Sequence, residues 1–298
     1  MLAQNTTILS DFKTLARTIS LVENEADGFE TILGSLAPHD IPVIGLTGPP
    51  GAGKSTLLNA VIGYLLGEGK KVGLILVDPS SPFNLGAVLG DRLRMTAHFT
   101  DPNLFIRSLA SRGSLGGLSD KIIEVVEVMK AYPFDYIFIE TVGVGQSEVE
   151  IAGLADTTVV VLVPEAGDSV QAMKAGLMEI ADIFVVNKAD RPEADAMVNF
   201  LSLQLHISGR DHIPVLRTVA VEAKGVKELI STIMQTESKG NEERRISLMA
   251  DKAYKIIQRH RMKGFDKKAL RQQLIDSAAQ PGFSLYRFTH GFLRPLES

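Results

Sequence analysis

The most informative part of the chain is Val43-Ile44-Gly45-Leu46-Thr47-Gly48-Pro49-Pro50-Gly51-Ala52-Gly53-Lys54-Ser55. Its second part matches the pattern G-x-x-x-x-G-K-[ST] at every position. Its first part is an apolar run typical of a buried strand, and an apolar helical pattern follows it as far as Leu65. Glycines let backbone N–H groups turn towards a phosphate, and a helix N-terminus adds positive potential. The stretch therefore predicts a strand, a phosphate-binding loop and a helix, in that order.

Each residue type in this loop has a use in binding a nucleoside triphosphate. Lys54 is expected to reach the β- and γ-phosphates, and the Ser55 hydroxyl is expected to hold Mg²⁺. The residues predicted to bind the nucleotide here are Gly48, Pro50, Gly51, Ala52, Gly53, Lys54, Ser55 and Thr56.

Further apolar runs alternate with helical patterns along the chain. The predicted strands are Val43–Thr47, Val72–Asp78, Tyr136–Thr141, Thr158–Val163, Ile183–Asn187 and Val215–Val219. Several are continuous runs, as expected of strands covered on both faces. The order predicts an α/β fold of the P-loop NTPase type, with a mostly parallel sheet and helices on both faces. Residues 79–118 break this rhythm and are predicted to form a long, functional connection.

Three regions are predicted along the chain. Residues 1–40 form an N-terminal helical extension, residues 41–235 the nucleotide-binding domain and residues 236–298 a C-terminal helical arm that could serve dimerisation. The extension carries apolar residues at helical spacing, namely Leu9, Phe12, Ala16, Ile19 and Val22. In the arm, Gly264 can end one amphipathic helix and Asp266 can cap the next.

Composition excludes several classes of function. The 298 residues include no cysteine, which excludes disulfide scaffolds, iron–sulfur clusters and thiol catalysis. No apolar run reaches the roughly 18 residues of a membrane helix, and no signal peptide is present, so we expect a cytoplasmic protein that does not contact membranes.

The net charge of −4 is too small to indicate nucleic acid as a partner. From residue 241 onwards, 12 basic residues face 6 acidic ones, which fits an acidic partner, a second subunit or simply solvated helices.

Carboxylates at strand ends are candidates for the magnesium site. Asp78 closes one predicted strand and Glu140 closes another, and the carboxyl ends of parallel strands face the ligand crevice. Asp91, within the irregular segment, is a third candidate beside the Ser55 hydroxyl. The glycine-rich loop after Glu140 contains Gln146, which could orient the attacking water. Possible charge stabilisers are Arg92, Arg94, Arg107 and Arg112, although solvated loop arginines are commoner.

A second motif, Asn187-Lys188-Ala189-Asp190, follows an apolar strand. Guanine presents N1–H and an amino group that one carboxylate can accept, whereas adenine would leave Asp190 desolvated and unpaired. Asn187 can bridge neighbouring loops, and the stem of Lys188 can cover the ring. Together with the phosphate loop, the motif favours GTP over ATP as the substrate.

Longer stretches carry a family resemblance. They are Gly48–Ser55, 78–81, 90–95, 105–108, 113–117, 140–148 (E-T-V-G-V-G-Q-S-E), 166–168 and Asn187–Asp190. Over roughly residues 8 to 235 the chain resembles the cobalamin-dependent mutase chaperone GTPases, the methylmalonyl-CoA mutase-associated (MeaB/ArgK-like) family. Two segments depart from it, Val219–Gly225, where a plain S-A-x-x-G is usual, and the tail Phe283–Ser298.

The resemblance implies a GTPase of the signal-recognition-particle-like class that forms homodimers and hydrolyses GTP slowly on its own. Its partner would be an adenosylcobalamin-dependent acyl-CoA mutase, whose cofactor loading it gates and which it protects or reactivates. The resemblance places Asp78, Asp91 and Glu140 in the Mg²⁺ and switch machinery. It also implies an additional switch in which Asp168, Gln171 and Lys174 couple the nucleotide to the mutase.

Two other functions stay open from the sequence. A nickel-insertion GTPase would share the strand–helix pattern and phosphate loop, although the six histidines are scattered. A nucleotide-dependent kinase or ATPase linked to amino-acid transport would also use a phosphate loop, but the N-K-x-D motif argues against it.

Overall fold

A computed structural model describes residues 9, 11–78, 98, 100–110, 121–141, 150–164, 176–238, 242–262, 264–278, 280 and 282–293. The chain divides into two compact units, Met1–Leu248 and Met249–Ser298. No helix among the described residues is both long and apolar enough to cross a membrane.

The first unit is built on a parallel sheet of seven strands. In chain order they are β1 Val43–Thr47, β2 Val72–Asp78, β3 Leu104–Ala110, β4 Tyr136–Thr141, β5 Thr157–Leu162, β6 Ile183–Val186 and β7 Val215–Arg217. Their order across the sheet is β3-β2-β4-β1-β5-β6-β7, and every described pair is parallel. The predicted α/β fold is confirmed.

Helices cover both faces of this sheet. They are α1 Phe12–Glu23, α2 Phe29–Ser35, α3 Lys54–Gly67, α4 Ile122–Lys130, α5 Leu177–Ile180, α6 Ala194–Ile207 and α7 Val226–Ser238. The apolar sides of α3 and α7 pack on one face of the sheet. On the other face, α1 and α4 pack near β2, β3 and β4, while α6 packs near β5 and β6.

Strand β3 corrects the sequence prediction, which placed Leu104–Ala110 inside an irregular connection. The segment pairs with β2 along its whole length and lies at the edge of the sheet. An edge strand has one neighbour and tolerates polar residues, so it lacks the continuous apolar run that marks the central strands. The guanidinium of Arg107, in the middle of β3, forms an ion pair with Glu23 of α1 and donates to Ser20 Oγ at 3.2 Å.

Helix α8, Glu242–Met262, spans the division between the units. The second unit continues with α9, Lys267–Ala278, and α10, Leu285–Leu293. Asp266 Oδ1 accepts the backbone N–H of Lys268 at 2.8 Å, so the predicted cap of α9 is present. Within this unit the rings of Phe265 and Phe292 pack 5.7 Å apart, between centroids. The tail Phe283–Ser298, which departs from the family pattern, contains this last helix.

Candidate nucleotide-binding site

The predicted phosphate loop lies between β1 and α3, at the carboxyl edge of the sheet. Gly48, Gly51 and Gly53 all have positive φ, at 138°, 80° and 84°. A Cβ on Gly48 would lie 2.1 Å from the carbonyl oxygen of Val161 on β5, so no side chain fits there. The loop therefore needs glycine for its backbone path and for its close approach to the neighbouring strand.

Lys54 is the first residue of α3 and is buried, with 7% of its surface exposed. Its ammonium donates to the carbonyls of Gly48 at 2.6 Å and Pro49 at 3.0 Å. The loop thus surrounds the Lys54 ammonium, which is the group predicted from the sequence to bind the β- and γ-phosphates. These carbonyl contacts hold the ammonium inside the loop, where phosphate oxygens would compete for it.

Ser55 and Glu140 lie together at this edge. The Ser55 hydroxyl donates to Glu140 Oε1 at 2.6 Å, and Glu140 is 6% exposed. The pairing follows from the register, in which Leu46 of β1 lies beside Glu140 of β4. A hydroxyl and a carboxylate are hard oxygen donors of the kind Mg²⁺ binds, so the chemistry of this pair fits the ion.

The backbone of Asp78 ends β2 next to Ala110 of β3. Its side chain lies outside the described part of the chain. The other predicted site residues outside the described ranges are Asp91, Gln146, Asp168, Gln171 and Lys174.

Asn187 connects the second motif to the phosphate loop. The residue is 2% exposed, and its Nδ2 donates to the carbonyl of Ala52 at 3.0 Å. Its Oδ1 accepts from Thr218 Oγ1 and from the backbone N–H of Ala220, both at 3.1 Å. A Cβ on Gly53 would lie 2.4 Å from Asn187 Nδ2, so Gly53 also makes room for this side chain.

Lys188 makes a second connection to the same loop. It has a φ of 54°, unusual for a residue with a side chain, and its Nζ donates to the carbonyl of Gly51 at 2.9 Å. Asp190, two residues further on, is exposed. The motif thus contacts the phosphate loop through Asn187 and Lys188 and leaves the Asp190 carboxylate open to solvent.

The segment after β7 completes the surroundings of the motif. The strand ends at Arg217, two residues earlier than predicted, after which the Thr218 hydroxyl donates to Asn187 and Val219 pairs with Lys224 in a tight turn. Lys224 Nζ lies 2.6 Å from Glu222 Oε2. The hydrogen bond that Lys224 donates to the Glu222 carboxylate raises the pKa of Lys224, and the charge of Asp190 adds a smaller contribution of the same sign.

Two residues that the sequence reading missed belong to this site. Thr218 and Ala220 hold the side chain of Asn187 through its Oδ1. Ala220 lies in the segment Val219–Gly225, which departs from the usual pattern and therefore drew no residue assignments, and Thr218 lies directly before that segment. Arg107, considered as a charge stabiliser, instead bonds to α1.

The parallel sheet, the glycine loop wrapped around Lys54 and the Ser55–Glu140 pair define a P-loop NTPase. The family of the "Methylmalonyl Co-A mutase-associated GTPase MeaB" matches residues 15–269 of the chain. The chain belongs to this family, and the predictions of family membership and of a GTPase are confirmed.

Curated relatives agree with this assignment. The chain is 50% identical over 233 residues to a Pyrococcus horikoshii protein that carries a GTPase name, with 76% of this chain and 74% of that protein covered. It is 37% identical over 234 residues to "GTPase ArgK" of Escherichia coli, with 74% and 71% covered. Among solved structures, a "LAO/AO transport system kinase" superposes with a TM-score of 0.66 at 25% identity, covering 94% of this chain and 91% of that one.

Proposed function

We propose that the chain is a Mg²⁺-dependent GTPase that serves an adenosylcobalamin-dependent acyl-CoA mutase. In this proposal it gates loading of the mutase cofactor and protects or reactivates the mutase. The observation that carries the GTPase site is the bond from Asn187 Nδ2 to the carbonyl of Ala52, 3.0 Å long, because it joins the base-reading motif to the phosphate loop.

Guanine selection would rest on Asp190. Its exposed carboxylate would accept hydrogen bonds from the N1–H and the amino group of guanine. Adenine offers neither of these two donors. Asn187 and Lys188 would hold the motif at a fixed distance from the phosphates, because both donate to carbonyls of the phosphate loop.

The phosphate end would be bound by Lys54 and the amides of the loop. When phosphate oxygens are present, the Lys54 ammonium would exchange its bonds to Gly48 and Pro49 for bonds to them. Ser55, Glu140, Asp78 and Asp91 are proposed to hold Mg²⁺, which would neutralise charge on the phosphates when bound. Lys54, Glu140 and Gln146 are the proposed catalytic residues, with Gln146 orienting the water.

The mutase partner comes from the family, which is named for its association with methylmalonyl-CoA mutase. We propose that Asp168, Gln171 and Lys174 transmit the nucleotide state to that partner. GTP turnover would be slow alone and faster when the mutase orders the switch segments. We also propose that the chain forms a homodimer through residues 236–298. Its proposed location is the cytoplasm.

The test is GTP hydrolysis by the purified chain, alone and with an adenosylcobalamin-dependent acyl-CoA mutase from the same source. We expect the mutase to accelerate phosphate release several-fold, and the K54A variant to release none above background with or without it. Hydrolysis that no mutase changes would overturn the chaperone role while leaving the GTPase intact.

A kinase linked to amino-acid transport is a second candidate, because a structure titled as a transport system kinase superposes on most of the chain. It predicts ATP as the preferred nucleotide and transfer of the phosphoryl group to a protein rather than to water. Release of labelled phosphate from GTP, without labelling of any protein, would exclude it. No comparable observation favours nickel insertion: the described side chains include no group of three His, Asp or Glu that could hold a metal ion.

A further inference from the structure

The glycine-rich segment 142–149, which the sequence predicts to be a loop, lies outside the described residues, but Thr141, the residue before it, contacts β1. Thr141, the last residue of β4, is fully buried. Its hydroxyl lies 3.3 Å from Thr47 Oγ1 and 3.5 Å from the carbonyl of Leu46. Thr47 immediately precedes the phosphate loop, so the residues that precede these two segments contact each other.

The described residues resume at Glu150, which is helical, and the next residue, Ile151, also contacts β1. This residue begins a short 3₁₀ helix, Ile151–Gly153, and its side chain is fully buried against Gly45. A Cβ on Gly45 would lie 2.7 Å from Ile151 Cγ1, 2.8 Å from Ile151 Cδ1 and 3.0 Å from Ala155 Cβ. Only glycine at position 45 leaves room for Ile151 where it lies.

Hydrogen bonds hold the following residues in place. The carbonyl of Ile151 accepts the N–H groups of Leu154 and Ala155, each at 2.9 Å. Asp156 donates its N–H to the carbonyl of Val43 at 2.8 Å and accepts the N–H of Val43 on Oδ2 at 3.0 Å. The connection from Ile151 to β5 is thereby fastened to β1 at two points, Gly45 and Val43.

We infer that Gly45 and Ile151 are a positioning pair for GTP hydrolysis. Strand β1 carries the phosphate loop three residues after Gly45, and Ile151 lies five residues after Gln146 in the sequence. The contact between them ties the chain that follows Gln146 to the strand that carries the phosphate loop. The inference rests on the proposed function and adds two residues to it, neither of which touches the nucleotide.

The first test compares G45A with G73A. Gly73 lies on β2, and an added Cβ there would lie 2.5 Å from Met129 Cε and 3.1 Å from Phe134 Cε2, on the same face of the sheet. Both variants therefore crowd the same core, but only G45A displaces Ile151. We expect G45A to lower the single-turnover rate of bound GTP by about tenfold or more, because small displacements of reacting groups have large effects on rate. The affinity for a fluorescent GDP should change less than threefold, and G73A should keep the wild-type rate.

A milder pair keeps the test valid if G45A does not fold. I151V removes one methyl group at the contact with Gly45, and I137V removes one from the same apolar cluster on β4, where Ile137 is also fully buried. Each should lower the melting temperature by a small and similar amount. We expect only I151V to slow hydrolysis, by about threefold, at a temperature where both variants are folded.

The outcomes separate the two proposals. A wild-type chain that binds GTP without hydrolysing it would overturn the proposed function itself. If the wild type hydrolyses GTP and the rates of G45A and I151V equal those of G73A and I137V, the positioning role is wrong and Gly45 serves packing alone.

Discussion

The side-chain amide of Asn187 donates to the carbonyl of Ala52 across 135 positions of sequence, at a distance of 3.0 Å. The same side chain occupies the space that a Cβ on Gly53 would need. The phosphate loop and the base-reading motif are therefore a single structural unit, in which a change to one alters the other.

Replacing Asn187 should weaken both folding and nucleotide binding. N187A leaves the buried carbonyl of Ala52 and the hydroxyl of Thr218 without their partner, which should cost about 1–3 kcal/mol of stability. Affinity for GDP should fall together with stability. Thermal unfolding with and without GDP measures both, and N199A, at an exposed position of α6, is the control. Equal melting temperatures for the two variants would contradict the stabilising role of the Asn187–Ala52 hydrogen bond.

Asp190 should determine the base. D190N replaces an acceptor by an amide that can donate to the C2 carbonyl of xanthine, so GTP affinity should fall about 100-fold while xanthosine triphosphate gains affinity. Competition against a fluorescent nucleotide gives both values. D195N, which alters an exposed carboxylate paired with Arg217 at 2.8 Å, should bind GTP as the wild type does. If D190N kept the full affinity for GTP, Asp190 would not be the residue that binds the guanine base.

Glu140 should be needed for hydrolysis more than for binding. E140Q keeps the shape of the side chain and removes its charge beside the Ser55 hydroxyl, 2.6 Å away. We expect the turnover rate to fall about 100-fold and the Mg²⁺ concentration needed for half-maximal rate to rise. A Mg²⁺ titration of phosphate release measures both effects, with E127Q on α4 as the control. An unchanged Mg²⁺ requirement would remove Glu140 from the metal site.

The N-terminal cap gives a pH-dependent stability. Asp11 accepts the N–H and the hydroxyl of Thr14, both at 2.8 Å, and the backbone bond is the main reason that the pKa of Asp11 falls below its ordinary value of 3.8. Because the folded pKa is the lower one, this stabilisation is present above the unfolded pKa and is lost as the pH falls through the folded value. Wild type should therefore melt above D11A at about pH 6, and the gap should shrink by about pH 3. A gap that stays constant with pH would exclude the ionised cap.

Much of the fold was predictable because the central strands are apolar on both faces. Strands β1, β2 and β4 have the predicted bounds, and each ends one or two residues after its apolar run. Strand β3 was missed because Arg107 and Ser108 interrupt its pattern, and the ion pair that accommodates Arg107 comes from α1, far away in sequence. An apolar run that two polar residues interrupt is a weak signal for a strand, and here it lies within a segment whose sequence shows no regular pattern.

The site was predictable as two motifs, with Asn187 expected to bridge neighbouring loops. The motifs place Lys54 at the start of a helix and Asn187 at a strand end, but the partners of Asn187 are a backbone carbonyl, a backbone amide and a threonine hydroxyl, which carry no sequence signature. Contacts through the backbone depend on where loops meet, which only the folded chain determines.

The most direct measurement is phosphate release by the full chain from GTP and from ATP, at equal concentrations and with Mg²⁺. If Asp190 selects guanine, we expect slow phosphate release from GTP and, from ATP, none above the level of the K54A variant. GDP should inhibit the reaction and ADP should not. Equal turnover of ATP would contradict the assignment of Asp190 and, with it, the guanine site.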